Sequence, residues 1–455
     1  MRPVSKLSST FGILLAVVAA GAYGCTPETG EGSVQTGPEA ELNESKHLGM
    51  TDVTILYPLP ITADHVDDLM SPSSEGDRGP LFAREVFDQL SAIDNAPVLG
   101  PDGKVQPWSG KLLDPWKPRY ANLRVVAVRV DPCFGEVSDQ GGSCQNTIRL
   151  VAQFVDPTQP ARRPDGRGGL HRFYTVNRAE MTAFLQGLLR LRRAAGLPLQ
   201  KGFITPTAGP NSNVRSGFGV NPTLASEGLR GPYATGLRDH LLSYAGEKNL
   251  TAVAFCVQDI GAERPEYSEN NATVAESRSR WIFGRFDVRQ GTIYPQTGPA
   301  LAPAGIQISD IDPVSQPGKR PILVVDPPAV TPDSYFGRLN KKRNEVDAPA
   351  WEQMSASALA FLDPRRYSPT TSDCVSCHLA DQAVDAQRFD TALYAKSGAF
   401  SSTTYRLDHT PLSSGPFRMI GWTPSRSGDA RPVLTSRVVN DTAVSLEMIN
   451  TSVLK

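Results

Sequence analysis

The 455-residue sequence lacks a charge surplus of either sign: 46 Lys and Arg stand against 47 Asp and Glu, a formal net charge of -1. A phosphate backbone is held by a field of Lys and Arg, so this balance argues against nucleic acid as a partner. Walker A, G-x-S-x-G and H-E-x-x-H patterns are absent, which removes the commonest signatures of nucleotide, acyl-transfer and zinc-protease chemistry. There is no internal repeat, so a solenoid is not expected. Hydrophobic residues at 40% and charged residues at 20% are too many and too few, respectively, for a largely disordered chain. The 39 Gly and 38 Pro break the chain into short elements joined by turns.

The apolar stretch Phe11 to Ala22, preceded by Arg2 and Lys6, is too short to cross a bilayer as an ordinary helix and reads as an export signal. It ends in Ala22-Tyr23-Gly24-Cys25, which resembles the lipobox of bacterial lipoproteins. The resemblance implies a signal peptide over 1–24 and lipidation of Cys25, with acyl chains anchoring the mature chain to a membrane of the cell envelope. Ala22 stands where that family usually has Leu. Residues 25–48 are polar, acidic and rich in Gly and Pro, and read as a flexible tether.

Six cysteines occur, at 25, 133, 144, 256, 374 and 377. Cys133 and Cys144 flank a ten-residue loop between two strand-like runs, and in an exported protein a disulfide between them is expected. Cys256 lies in the apolar run LTAVAFCV and reads as a buried unpaired thiol. His47, His65 and His171 lack Cys or carboxylates at metal-binding spacing and read as structural; His240 reads as a surface or satisfied helix histidine.

Residues 49–330 read as an α+β domain of unknown role with a mixed or antiparallel sheet. Residues 53–57, 123–130, 148–155, 250–257, 281–288 and 322–325 are rich in β-branched and aromatic side chains and bounded by turn formers. Alternation in Leu123-Arg124-Val125 and Arg149-Leu150-Val151 suggests sheet edges or one solvated face. A helix is expected from Asn177, capped with Glu180, to Gly196, and a second over about 232–246. Residues 296–320 read as a Pro-rich loop, and a domain boundary is expected near 330. Beyond it, helices are expected between Asp347 and Asp363 and over 440–449.

Cys374-Val375-Ser376-Cys377-His378 is a C-x-x-C-H, the attachment signature of c-type haem. Two intervening residues let both sulfurs reach the vinyl-derived carbons of one porphyrin edge, and the adjacent imidazole swings under the iron. A zinc site lacks a second Cys/His pair, since His409 alone is a poor completion. A redox dithiol would want a thioredoxin-like strand before the motif, where YSPTTSD stands, and a structural disulfide is a third alternative. With a helix before the motif and one closing the chain, residues 335–455 resemble the cytochrome c family and its small, mainly α haem domain.

That resemblance implies one covalent haem c per chain, with Cys374 and Cys377 as thioether attachment points and His378 as proximal iron ligand. Met419 would be the distal ligand, with His409 as the bis-His alternative of lower potential and Met448 better placed for packing. The family's Gly-Pro segment after the His is absent. The implied protein is a lipid-tethered one-electron carrier serving a redox partner protein at the periplasm or cell surface; no residue assigns it a catalytic reaction. The rival reading is a non-redox surface lipoprotein that binds a partner or envelope component.

Overall fold

The structure, a computed structural model, describes residues 46–60, 62–93, 97–99, 105–107, 120–133, 145–158, 160, 168–197, 220–259, 279–296, 305–311, 347–367, 374, 377–378, 420–424 and 430–454. The chain divides into two compact units, Met1–Glu41 and Leu42–Lys455, and every described residue belongs to the second. The expected signal, Cys25 with its expected lipidation, and the expected boundary near 330 lie outside the described residues. Among the described residues no helix is long and apolar enough to cross a membrane.

The second unit is α+β. Its strands are β1 (Thr54–Leu56), β2 (Glu75–Gly76), β3 (Gly79–Pro80), β4 (Pro97–Leu99), β5 (Val105–Pro107), β6 (Leu123–Asp131), β7 (Thr147–Phe154), β8 (Gly168–Thr175), β9 (Leu250–Asp259), β10 (Ser279–Arg289), β11 (Thr292–Pro295), β12 (Ile306–Ile311), β13 (Ile420–Pro424) and β14 (Ala430–Leu434). The described helices are α1 (Met50–Val53), α2 (Arg84–Ser91), α3 (Arg178–Ala194), α4 (Pro222–Glu227), α5 (Pro232–Tyr244), α6 (Ala348–Leu362) and α7 (Ser436–Met448).

One sheet runs β1-β6-β7-β8-β9-β10-β12-β4-β5, with β11 on β10. It is antiparallel except where β12 meets β4. The strands expected at 123–130, 148–155, 250–257 and 281–288 are present within two residues; 322–325 lies outside the described residues. Gly168–Thr175, for which no element was expected, is the central strand β8, paired on both sides. Two expectations need correction. Within the stretch read as a loop, Ile306–Ile311 alternates Ile with polar residues and pairs with β10. The arginines of the alternating strands are not solvated: Arg124, Arg129 and Arg149 are all buried.

Helix α3 has the expected cap. The Asn177 side chain accepts from the Glu180 N–H at 2.9 Å, and the Glu180 carboxylate accepts from the Asn177 N–H at 2.8 Å. Two orphan donors of the first turn are thereby satisfied. The helix stops at Ala194, and Gly196 follows at φ +62°, a left-handed conformation that glycine adopts at little cost. Helix α3 packs on α5 through His240, whose ring stacks on Phe184 at 4.8 Å between centroids, with its Nε2 2.8 Å from the Phe184 carbonyl oxygen. His240 is the satisfied histidine expected.

Gly187 makes that contact possible, because a Cβ there would stand 2.1 Å from the His240 Cε1. A helical Gly→Ala change ordinarily stabilises. Here the ring is pinned, and Gly187→Ala is expected to destabilise by about 1–3 kcal/mol through overpacking, measured as a lower urea midpoint. His240 also sets a pH dependence. Burial depresses its pKa below the usual 6.5, against the opposing contact with the Phe184 carbonyl. Below about pH 6.5 the unfolded imidazole therefore binds a proton that the folded one resists. Stability is expected to fall as pH drops through that window, and in His240→Gln the loss measured by urea titration should be smaller.

The C-terminal elements lie on the sheet. The Gln153 side chain of β7 bridges β13, accepting from the Trp422 N–H at 2.7 Å and donating to the Trp422 carbonyl at 3.0 Å. The Trp422 indole donates to the Tyr57 carbonyl at 3.1 Å. Gly421 sits at φ +137°, and a Cβ there would meet the Gln153 Oε1 at 2.5 Å, so the close approach of hairpin and sheet requires glycine. Among the described residues the β13–β14 hairpin stands beside two helices in the region expected to be mainly α. The final helix also starts earlier than read, at Ser436, with Thr435 as N-cap.

Candidate haem-attachment site

Alternation along the central strands places one set of side chains on the side of the sheet that faces the motif. Register pairs His171 of β8 with Ala254 of β9, and Ala254 with Arg285 of β10. Phe283 is paired with Cys256, and Arg149 of β7 with both Arg129 of β6 and Phe173 of β8. Because successive side chains point to opposite faces, these residues share one face. Cys374, Cys377 and His378 lie over it, and together they line a cavity of about 80 Å³.

Cys374, Cys377 and His378 are helical. A spacing of three residues sets two side chains on one helical face, so both thiols are offered to the same side. Neither is in a disulfide; Cys377 is buried at 9% exposure, while Cys374 and His378 are half-buried. The His378 ring meets Phe283 edge-on, 5.0 Å between centroids. Cys256, a buried thiol outside any disulfide, lines the same cavity.

The wall is strongly cationic. Among the described residues Arg129, Arg149, Arg285 and Arg437 line the cavity against one carboxylate, that of Asp441. Asp441 receives Arg129 at 3.1 Å and Arg437 at 3.0 Å. Behind them Asp131 receives Arg149 at 2.6 Å and Arg129 at 3.2 Å. Burial alone would weaken the Arg129 charge, and the carboxylates of Asp131 and Asp441 reverse that into a raised pKa. Burial likewise pushes the Asp131 carboxyl up, but Arg149 and Arg129 outweigh it and hold it below the usual range. Arg437 also donates to the carbonyls of Phe361, at 2.7 Å, and Tyr367, tying α6 to α7. Arg285 is held near Cys374 and Asp287, with burial lowering its pKa. Arg149 of β7 and Arg285 of β10 both lie over the Phe173 ring, at 4.7 and 5.9 Å.

The donor types suit haem c, whereas the cavity of about 80 Å³ is smaller than a porphyrin, so the motif would have to stand farther from the sheet to hold one. Two thiols on one helical face, an adjacent imidazole, the aromatic walls of Phe173 and Phe283, and a guanidinium surplus able to meet the two carboxylates of the porphyrin converge on one space. Among the described residues no group of three His, Cys, Asp or Glu converges as a metal-holding cluster. The other expected residues are not brought in: Met419, His409 and Cys144 lie outside the described residues. Cys133 is disulfide-bonded, and its N–H donates to the Asn146 side chain at 2.7 Å, across the loop expected to end in Cys144. What the sequence reading missed is His171 and the arginines; the alternating pattern of β8 was the available signal.

Comparison with known proteins found no matching family model, no matching curated protein and no matching solved structure.

Proposed function

We propose that this chain is an exported, lipid-tethered c-type haem protein that passes single electrons to a redox partner protein. The observation that carries the reading is the meeting of Cys374, Cys377 and His378 with an arginine-lined cavity on the sheet face. Each thiol adds across one vinyl C=C: the S–H bond breaks, sulfur bonds to the carbon next to the ring, and the hydrogen goes to the outer carbon. Nothing leaves, and no electrons are exchanged. His378 would hold the iron through an imidazole lone pair. Arg129, Arg149, Arg285 and Arg437 would face the carboxylates of the group, and Phe173 and Phe283 would keep water from it. Bound there, haem c supplies a one-electron iron couple whose potential follows axial ligation and burial.

Residues 335–455 are proposed to supply the cytochrome c-like part, with α6 before the motif and α7 closing the chain. The sheet of the preceding residues forms the rest of the seat, an addition to the family's pattern. The membrane anchor is proposed at Cys25. Thioethers survive denaturation, so full-length protein from cells equipped to attach haem c is expected to keep a red band with peroxidase staining on a denaturing gel. A colourless, unstained band would overturn the reading.

One observation favours a second reading, a redox dithiol. Arg285 acts on Cys374, and Arg129 on Cys377, and nearby cations favour thiolates. The two thiols would then close to a disulfide by exchange with a partner's disulfide, which leaves as two thiols. Such a chain would be colourless and would take up two alkyl groups at Cys374 and Cys377 only after reduction.

A further inference from the structure

We propose that His171 is the second axial ligand of the haem iron, standing on the sheet across the cavity from His378. This rests on the haem reading above and goes beyond it by naming a ligand from the preceding region of the chain rather than from the segment after the motif.

The geometry is that of two imidazoles facing one space. Among the described residues, His171 and His378 are the two histidines that line the cavity, one from the middle of the sheet and one from the helical motif above it. His171 is near enough to His378 for the two to interact electrostatically. The floor beside His171 is low, because its register partners are Val151 and Ala254, with Gly169 two residues earlier on the same face. Beside these neighbours the His171 side chain lines the space between sheet and motif.

His171 is also chemically available. Among the described residues no group hydrogen-bonds its ring, unlike His240, which is committed to the Phe184 carbonyl, and His65, whose Nδ1 lies 2.7 Å from Asp68. A neutral imidazole with a nitrogen lone pair to give is the form that ligates metals. His171 is half-buried among guanidinium groups, and its ring has no hydrogen-bonding partner among the described residues. As a ligand its polar atom is satisfied.

The consequence for the protein is a bis-imidazole iron, of lower potential than the His/Met pair expected from Met419. The test uses the full chain matured with haem, and electron paramagnetic resonance with absorbance spectroscopy of the ferric protein. Wild type is expected to be low-spin with bis-imidazole character. His171→Ala should keep its covalent haem, turn high-spin, and return to low-spin when imidazole is added. His171→Met should remain low-spin, gain the weak near-red absorbance of a methionine-ligated ferric haem, and show a raised reduction potential; it serves equally if the Ala variant fails to fold. A wild type that already shows the methionine band, or a His171→Ala spectrum identical to wild type, overturns the proposal while leaving the haem reading intact. Absence of covalent haem from the wild type overturns both.

Discussion

Replacing Cys374 and Cys377 together with Ala is expected to remove all covalently attached haem, so that the denatured protein loses colour and peroxidase staining completely. Each single replacement should leave one thioether and a reduced yield of stained protein. The reason is chemical: the thioethers alone withstand denaturation, whereas the iron–imidazole bond and the arginine contacts do not. His378→Ala is expected to retain attached haem with altered axial ligation, which separates attachment from ligation. Staining in the double variant equal to wild type would mean that the thiols do not carry the cofactor.

Asp441→Ala is expected to cost about 3–5 kcal/mol of folding stability, because removing one partner of a buried charge network leaves the others unpaired. Arg129 and Arg437 are each 2% exposed, and Asp441 is the carboxylate they share. Arg129 would retain Asp131, and Arg437 its two carbonyls, so the surplus positive charge, rather than hydrogen-bond count, dominates the loss. Asp441→Asn keeps an acceptor without the charge and should recover part of it. Guanidinium titration of both variants measures the difference; a loss in Asp441→Ala below about 1 kcal/mol, the range of an exposed pair, would show the cluster to be solvated.

These two expectations meet at one place in the fold, and the sequence disclosed its halves unequally. Cys374, Cys377 and His378 are adjacent in the chain, so their chemistry was legible from spacing alone. The opposite wall was not. Arg129 and Asp441 are 312 positions apart, and an arginine in an alternating strand looks solvated until its distant carboxylate is known. His171 was hidden differently: Gly168 and Gly169 suggest a turn, although His171 and Phe173 alternate with Leu170, Arg172 and Tyr174 as a strand with two distinct faces requires.

Helix α3 was legible to its cap because Asn177, Glu180 and Gly196 act locally. The β13–β14 hairpin was not, because Gly421, Pro424 and Pro432 weaken its strand character, and its place is fixed by Gln153, 269 positions from Trp422. Local interactions announce themselves in a sequence, whereas a cavity built between a sheet and a later segment depends on pairings that only the fold creates.

The most direct test of the central claim is the intact mass of the full-length protein matured in cells that attach haem c. The account predicts the mass of the processed, acylated chain plus one haem, unchanged after acid and organic extraction. A mass equal to the acylated polypeptide alone would contradict it.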